Sequence, residues 1–360
     1  MRTIPCVVVM AVAASGAFAQ EPPAPAAGHQ QIAALAAAIQ RLEATYPNKH
    51  SLAYQVDLPL ARLKLRKARL LATTTFYGLT RVSTAEEVQA GLDLLAMLER
   101  GEVYRPPLGS LSELAYLAEN DGTVQPYYVH IPERYDPQAQ WPLIVFLHGY
   151  VPSITMLDPW VLSEDVCQVA EDNGCLLMIP YGRRNTDFQG IGEVDVFRSI
   201  AETQELYNID PARIYLSGVS MGGMGSWTIG LRYPGFFAAV APISGQTDMF
   251  RWWKGRAFGW DREKMPPCKQ FLVEWDNALE LAPNLRAQPF FCQHGENDSL
   301  IPVEESRSMV QRAEELGTPV KYYEFPNASH YIYWDLPCFR NAWEWVKDFR
   351  LDPSPPRITF

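Results

Sequence analysis

Ser220 stands in Gly218-Val-Ser220-Met-Gly222, with more glycines at 223 and 225, directly after the apolar run 214–217. A serine hydroxyl is a weak nucleophile until a base takes its proton, and the base needs a carboxylate to orient it. G-x-S-x-G between a strand and a helix is the turn that lifts a serine Oγ clear of a sheet. It also puts that oxygen at a helix N-terminus, where backbone N–H groups favour negative charge. The glycines then have a reason: side chains must be absent where strand and helix approach closely. A glycine-rich turn with an incidental serine is the alternative, and the test is whether partners exist.

In this arrangement the chain order is serine, acid, histidine. Two histidines follow Ser220: His294 and His330. His330 lies in Pro326-Asn-Ala-Ser-His330, just past the apolar run 320–325, where a base hangs over the serine from a post-strand loop. The acid comes from Gln293-His-Gly-Glu-Asn-Asp298. Asp298 is preferred over Glu296 because it lies just before Ile301-Pro, which restarts regular structure. His294 reads as structural, and Cys292-x-His294 lacks further ligands at spacing suited to a metal. For an oxyanion, the amide of Met221 is one donor and that of Tyr150, after Leu147-His-Gly149, is the other.

The elements that must position these groups follow from periodicity. Apolar runs at 127–131, 143–147, 175–179, 214–217, 238–243, 289–294 and 320–325 read as strands. Helical patterns at 193–207, 221–233, 304–316 and 339–349 alternate with them. That rhythm implies a mostly parallel, twisted sheet with helices on both faces. Ahead of it, 32–46 and 52–72 carry helical spacing or propensity, and Thr84-x-x-Glu87 reads as a capping box for a third helix. The basic run Arg62, Lys64, Arg66, Lys67 and Arg69 reads as a solvated helix face or, alternatively, a surface for an acidic partner. The expected organisation is a signal peptide at 1–19, a linker at 20–28, a helical segment at 29–118 and a catalytic domain at 119–360.

The signal peptide rests on Arg2, the short apolar run 7–14 and Ala17-Phe18-Ala19, an A-x-A cleavage pattern. It implies a secreted or periplasmic protein, and no other segment reaches about 18 uninterrupted apolar residues. Of six cysteines, Cys6 falls in the leader; Cys167, Cys175, Cys268, Cys292 and Cys338 remain, an odd number. Cys292, inside an apolar run, reads as a buried thiol. A net charge of −10 argues against nucleic acid.

Residues 121–350 resemble secreted α/β-hydrolase esterases of the polyhydroxybutyrate depolymerase and feruloyl or acetylxylan esterase type. They are also similar to predicted peptidases of the prolyl oligopeptidase-like family. The resemblance is carried by DGTVQPYYV (121–129), LHG (147–149), RNTDFQG (184–190), GEVD (192–195) and YNIDPAR (207–213). GVSMGG (218–223), YPGFFAAVAPISG (233–245) and HGEND (294–298) complete it. It implies an α/β-hydrolase fold with Ser220 as nucleophile, Asp298 as acid and His330 as base, the three residues reached above. After His330 the spacing to Trp334 departs from the family pattern by one residue. Such a site works without a cofactor. Aromatics near the expected mouth (Trp252, Trp253, Phe258, Trp260, Tyr331, Tyr333 and Trp334) suit sugar or phenolic groups, or else belong to the core. Trp252, Trp253 and Trp334 are the substrate-binding candidates, and 246–285 is an insertion that could form a partial lid. The expected reaction is hydrolysis of small or polymeric carboxylic esters. Peptide cleavage is the alternative enzyme reading, and an inactive binding module the non-enzyme one.

Overall fold

The computed structural model describes residues 26–73, 82–151, 157, 164–254, 261–335 and 337–352. The expected signal peptide and most of the expected linker lie outside them. Three helices come first: α1 (Ala26–Thr45), α2 (Leu52–Thr73) and α3 (Thr84–Glu99). They are followed by β1 (Leu111–Leu117), β2 (Val124–His130), β3 (Trp141–Leu147), α4 (Glu164–Asn173), β4 (Leu176–Pro180) and α5 (Ile191–Leu206). Next are β5 (Ile209–Val219), α6 (Met221–Arg232), β6 (Ala239–Ile243), α7 (Met249–Lys254) and α8 (Pro267–Trp275). The chain closes with β7 (Phe291–Gly295), α9 (Glu304–Glu315), β8 (Lys321–Phe325), α10 (Ile332–Asp335) and α11 (Cys338–Val346). The strands form one eight-stranded sheet in the order β1-β2-β4-β3-β5-β6-β7-β8. The β1-β2 and β2-β4 pairings are antiparallel, and the pairings from β4 through β8 are parallel.

The two-residue repeat of the strands divides the core. On β3, Leu143, Val145 and Leu147 join Val196 and Ile200 of α5 and Trp227 and Ile229 of α6. Ile144 and Phe146 point the other way, to Val166 and Val169 of α4 and Phe339 and Trp343 of α11. A parallel sheet buried on both faces needs apolar residues at successive positions, which is why these strands read as continuous runs.

The helical segment adds to the first of these cores. Leu35, Ile39 and Leu42 of α1, Val56, Leu60 and Leu63 of α2 and Leu95 and Leu98 of α3 are buried with Leu114 and Tyr127 of the sheet. Several expectations change here. The linker's last residues, Ala26 to Gly28, already lie in α1. The third helix is capped one residue earlier than expected: the Ser83 Oγ accepts the Glu86 amide at 3.3 Å and Glu86 accepts the Ser83 amide at 2.6 Å. Glu87 is instead buried, facing Lys64 at 3.4 Å. The segment expected to be helical to 118 ends in β1, an edge strand whose pattern is too mixed to stand out. α4, α7 and α8 were also not anticipated.

The basic run is solvated only in part: Arg66 and Arg69 are exposed, but Lys64 and Lys67 turn inward. Lys64 and Lys67 are turned onto Glu113 of β1; Lys64 Nζ lies 2.7 Å from Oε2, Lys67 pairs with Oε1, and the Tyr128 hydroxyl donates to Oε1 at 2.7 Å. Burial opposes ionisation of Glu113, but the two lysine charges outweigh it and lower its pKa. Removing one partner of such a cluster leaves buried charge uncompensated. Glu113→Ala is therefore expected to cost roughly 3–5 kcal/mol, measured by urea unfolding.

Asp57 of α2 is fully buried; Oδ1 accepts the Tyr104 amide at 3.0 Å and Oδ2 has no partner among the described residues. Burial pushes its carboxyl up to about 6. A carboxyl raised on folding favours the protonated folded state, so stability falls as pH rises from about 4 to about 6. Asp57→Asn should raise the melting temperature at pH 7, by an amount worth roughly 2–3 kcal/mol. The gain should shrink toward zero below about pH 4.

Candidate active site

β5 runs straight into the turn, and Ser220 follows it with φ 56° and ψ −116°. This backbone region is costly for a residue with a Cβ and persists only where its surroundings over-determine it. Here they do. The Ser220 amide donates to Ile243 O of β6 at 2.9 Å, and Ser220 O accepts the Met224 amide at 2.9 Å. A Cβ at Gly218 would stand 2.5 Å from Gly222 O, and one at Gly222 would stand 2.0 Å from Leu147 O. Both glycines are required by close approach of β5, β3 and α6.

The strained turn aims Ser220 at the loop after β8. Ser220 Oγ lies 2.9 Å from His330 Nε2, and His330 Nδ1 lies 2.6 Å from Asp298 Oδ2. A carboxylate only accepts, so Nδ1 carries the imidazole proton and Nε2 accepts from the serine hydroxyl. Asp298 is buried in the turn after β7, while Glu296 is exposed and accepts the Asn327 amide at 2.7 Å. Asp298 Oδ1 accepts the Leu300 and Ile301 amides, both at 2.8 Å. Burial works to raise the Asp298 pKa, but hydrogen bonds from His294, His330 and the Ile301 amide outweigh it. They hold the carboxyl well below the usual carboxylate range. The structure thus brings Ser220, His330 and Asp298 into one hydrogen-bonded row from three separate loops.

Met221 opens α6, and the first amides of a helix have no intrahelical acceptor. Tyr150 sits after β3 with its side chain exposed. Its loop is held on both sides. Behind it, buried His148 reaches Gly149 O through Nδ1 at 2.9 Å and Tyr181 O through Nε2 at 3.1 Å. Ahead of it, the Asn185 side chain accepts the Val151 amide at 3.2 Å and donates to Val151 O at 2.8 Å. Asn185 was missed as a positioning group; a contact across 34 positions leaves no trace in local spacing.

Tyr331 and Tyr333 stand edge-on to the His330 ring, with centroids 5.4 and 6.1 Å away. Tyr331 is 41% exposed and Tyr333 is buried. Trp252 is half-buried on α7. The side chains of Trp253 and Trp334, and all of Phe258 and Trp260, lie outside the described residues. The insertion after β6 folds as α7, α8 and two short 3₁₀ turns. Cys292 is a buried free thiol, and Cys167, Cys175 and Cys268 are free as well. Among the described residues no helix is long and apolar enough to cross a membrane.

A strained serine at a strand-to-helix turn of a mostly parallel sheet, hydrogen-bonded to an imidazole and a buried carboxylate, can carry out acyl transfer. The sequence pattern of the prolyl oligopeptidase family matches residues 192–347. The chain is a serine hydrolase with the α/β-hydrolase fold, and over these residues it is similar to that family. It is 23% identical over 209 residues to an uncharacterised peptidase of Bacillus subtilis, YtmA, a match covering 54% of this chain and 77% of the relative. It is 28% identical over 148 residues to feruloyl esterase B of Thermothelomyces thermophilus, covering 38% of this chain and about half, 49%, of that one. An S-formylglutathione hydrolase from Agrobacterium tumefaciens superposes with a TM-score of 0.53 at 15% identity, covering 69% of this chain and 98% of the other.

Because a Cβ at position 222 would collide with the Leu147 carbonyl, which no side-chain rotation can relieve, Gly222→Ala should disrupt the turn. Its expected signature is a lowered melting temperature together with loss of labelling of Ser220 by a fluorophosphonate probe.

Proposed function

We propose that the protein is a secreted hydrolase of carboxylic esters, of carbohydrate-linked or polyester type, acting through an acyl-enzyme. The observation that carries the reading is the row Ser220 Oγ, His330 Nε2, His330 Nδ1 and Asp298 Oδ2, with contacts of 2.9 and 2.6 Å. Ser220 Oγ attacks the acyl carbon as its proton passes to His330 Nε2. Asp298 holds the imidazole tautomer and stabilises the imidazolium that forms. The amides of Met221 and Tyr150 receive the oxyanion, the former aided by the α6 dipole. His330 then protonates the departing alcohol, and water deacylates Ser220 by the same steps in reverse.

The feruloyl esterase relative supports the ester reading, and the exposed ring of Tyr331, edge-on to His330, suits a phenolic or sugar group. Trp252, Trp253 and Trp334 remain candidates for substrate contact. Secretion is proposed from the leader-like pattern of residues 1–19. Peptide cleavage is the second reading, favoured by the prolyl oligopeptidase match and the Bacillus relative. The two share the row and differ in leaving group.

One rate panel separates them: a p-nitrophenyl ester, methyl ferulate, acetylated xylan and an Ala-Pro anilide. Ester cleavage is expected to dominate, and Ser220→Ala to lower it by roughly four to six orders of magnitude. Faster anilide than ester turnover would establish the peptidase reading, and a fully active Ser220→Ala protein would remove the site.

A further inference from the structure

We propose that His294 is a positioning residue for Asp298: it binds the same carboxylate oxygen as His330 and, backed by Ser306 and Cys292, sets both the orientation and the charge of the acid. The inference rests on the proposed reading of Ser220, His330 and Asp298.

His294 lies near the end of β7 and is fully buried. Its Nε2 is 3.0 Å from Asp298 Oδ2 and 2.9 Å from Ile301 O. Both are acceptors, so Nε2 carries the proton. Nδ1, 2.7 Å from Ser306 Oγ, then accepts from that hydroxyl, and Ser306 Oγ accepts in turn from the Cys292 thiol at 3.1 Å. Each donor in the series points the same way, and it ends on the oxygen that also takes the His330 Nδ1 proton. From Cys292 to Ser220 the hydrogen bonds are continuous through side chains of β7, α9, the β7–α9 turn, the loop after β8 and the strained serine.

Two consequences follow from a second imidazole on Oδ2. With Oδ1 held by two amides and Oδ2 by His294, the carboxylate cannot rotate away when His330 moves toward substrate. The second N–H also withdraws charge from Oδ2, so Asp298 attracts the imidazolium formed in the reaction less strongly than it would alone. Other ionisable groups border the series. Glu324 of β8 is the register partner of His294 and is tied to Arg307 of α9 and to Tyr322. Tyr333 of α10 faces Asp298 and His330, and Tyr331 faces His330. The variants below leave all of these in place.

The experiment compares wild type, His294→Leu, His294→Gln and Ser306→Ala on a p-nitrophenyl ester. It records kcat, KM, the pH profile of kcat/KM and the melting temperature. His294→Leu is expected to lower kcat roughly 10- to 100-fold with KM nearly unchanged, and to move the acid limb of kcat/KM to higher pH. His294→Gln returns an N–H toward Oδ2 and should recover most of kcat. Ser306→Ala removes the hydroxyl that fixes the His294 ring and should move both readouts the same way by a smaller amount. If His294→Leu does not fold, Ser306→Ala decides alone. An acid limb and kcat left at wild-type values would overturn the proposal, as would lost activity accompanied only by a lower melting temperature. Undiminished activity in Ser220→Ala would instead remove the underlying reading, whatever the His294 variants do.

Discussion

The structure turns on the close packing of α6 against the C-terminal ends of β3, β5 and β6. Ser220 can hold φ 56° only because the strand before it and the helix after it meet at Gly218 and Gly222. The bond from its amide to Ile243 closes the turn against the next strand. Relaxing that turn would swing Oγ away from His330. The strain is stored in a turn fixed on three sides, which is how a local cost of about 1–3 kcal/mol can persist.

Around this point the parallel sheet does the gathering. β3, β5, β7 and β8 all end on the same edge, so their following loops converge although the residues they carry are 110 and 32 positions apart in sequence. Ligand and catalytic groups collect at the carboxyl ends of such strands for this reason. The acid is the most heavily held member of the group: four donors from two histidines and two amides converge on one buried carboxylate. Their combined effect exceeds the desolvation cost that would otherwise protonate it.

The helices ahead of the sheet are joined to it by more than apolar packing. Lys64 and Lys67 reach Glu113 on the edge strand, and Asp57 fixes the Tyr104 amide of the chain leading there. Charged residues almost never go fully inside without partners, so these contacts define how α2 sits on β1. This explains why Lys64 and Lys67 turn inward while Arg66 and Arg69 of the same run stay exposed.

Much was legible beforehand. The apolar runs from 127 to 325 located seven strands; for the central parallel ones, burial on both faces leaves few polar positions to blur the signal. The glycines around Ser220, the Asp298 turn and the His330 loop were readable because a strained turn and post-strand loops have local residue requirements. The strand β1 was not, since polar Ser112 and Glu113 interrupt its apolar residues, and the cap at Ser83 was ambiguous because two S/T-x-x-E frames are offset by a single residue. By itself the sequence determined which residue types were on hand and which segments were strand, turn or helix, all properties of neighbours along the chain. Only the tertiary structure decided that His294 shares an oxygen with His330, that Asn185 holds the loop of Tyr150, and that Lys67 faces Glu113. Those choices depend on distances between segments far apart in sequence, and only the packed sheet sets them.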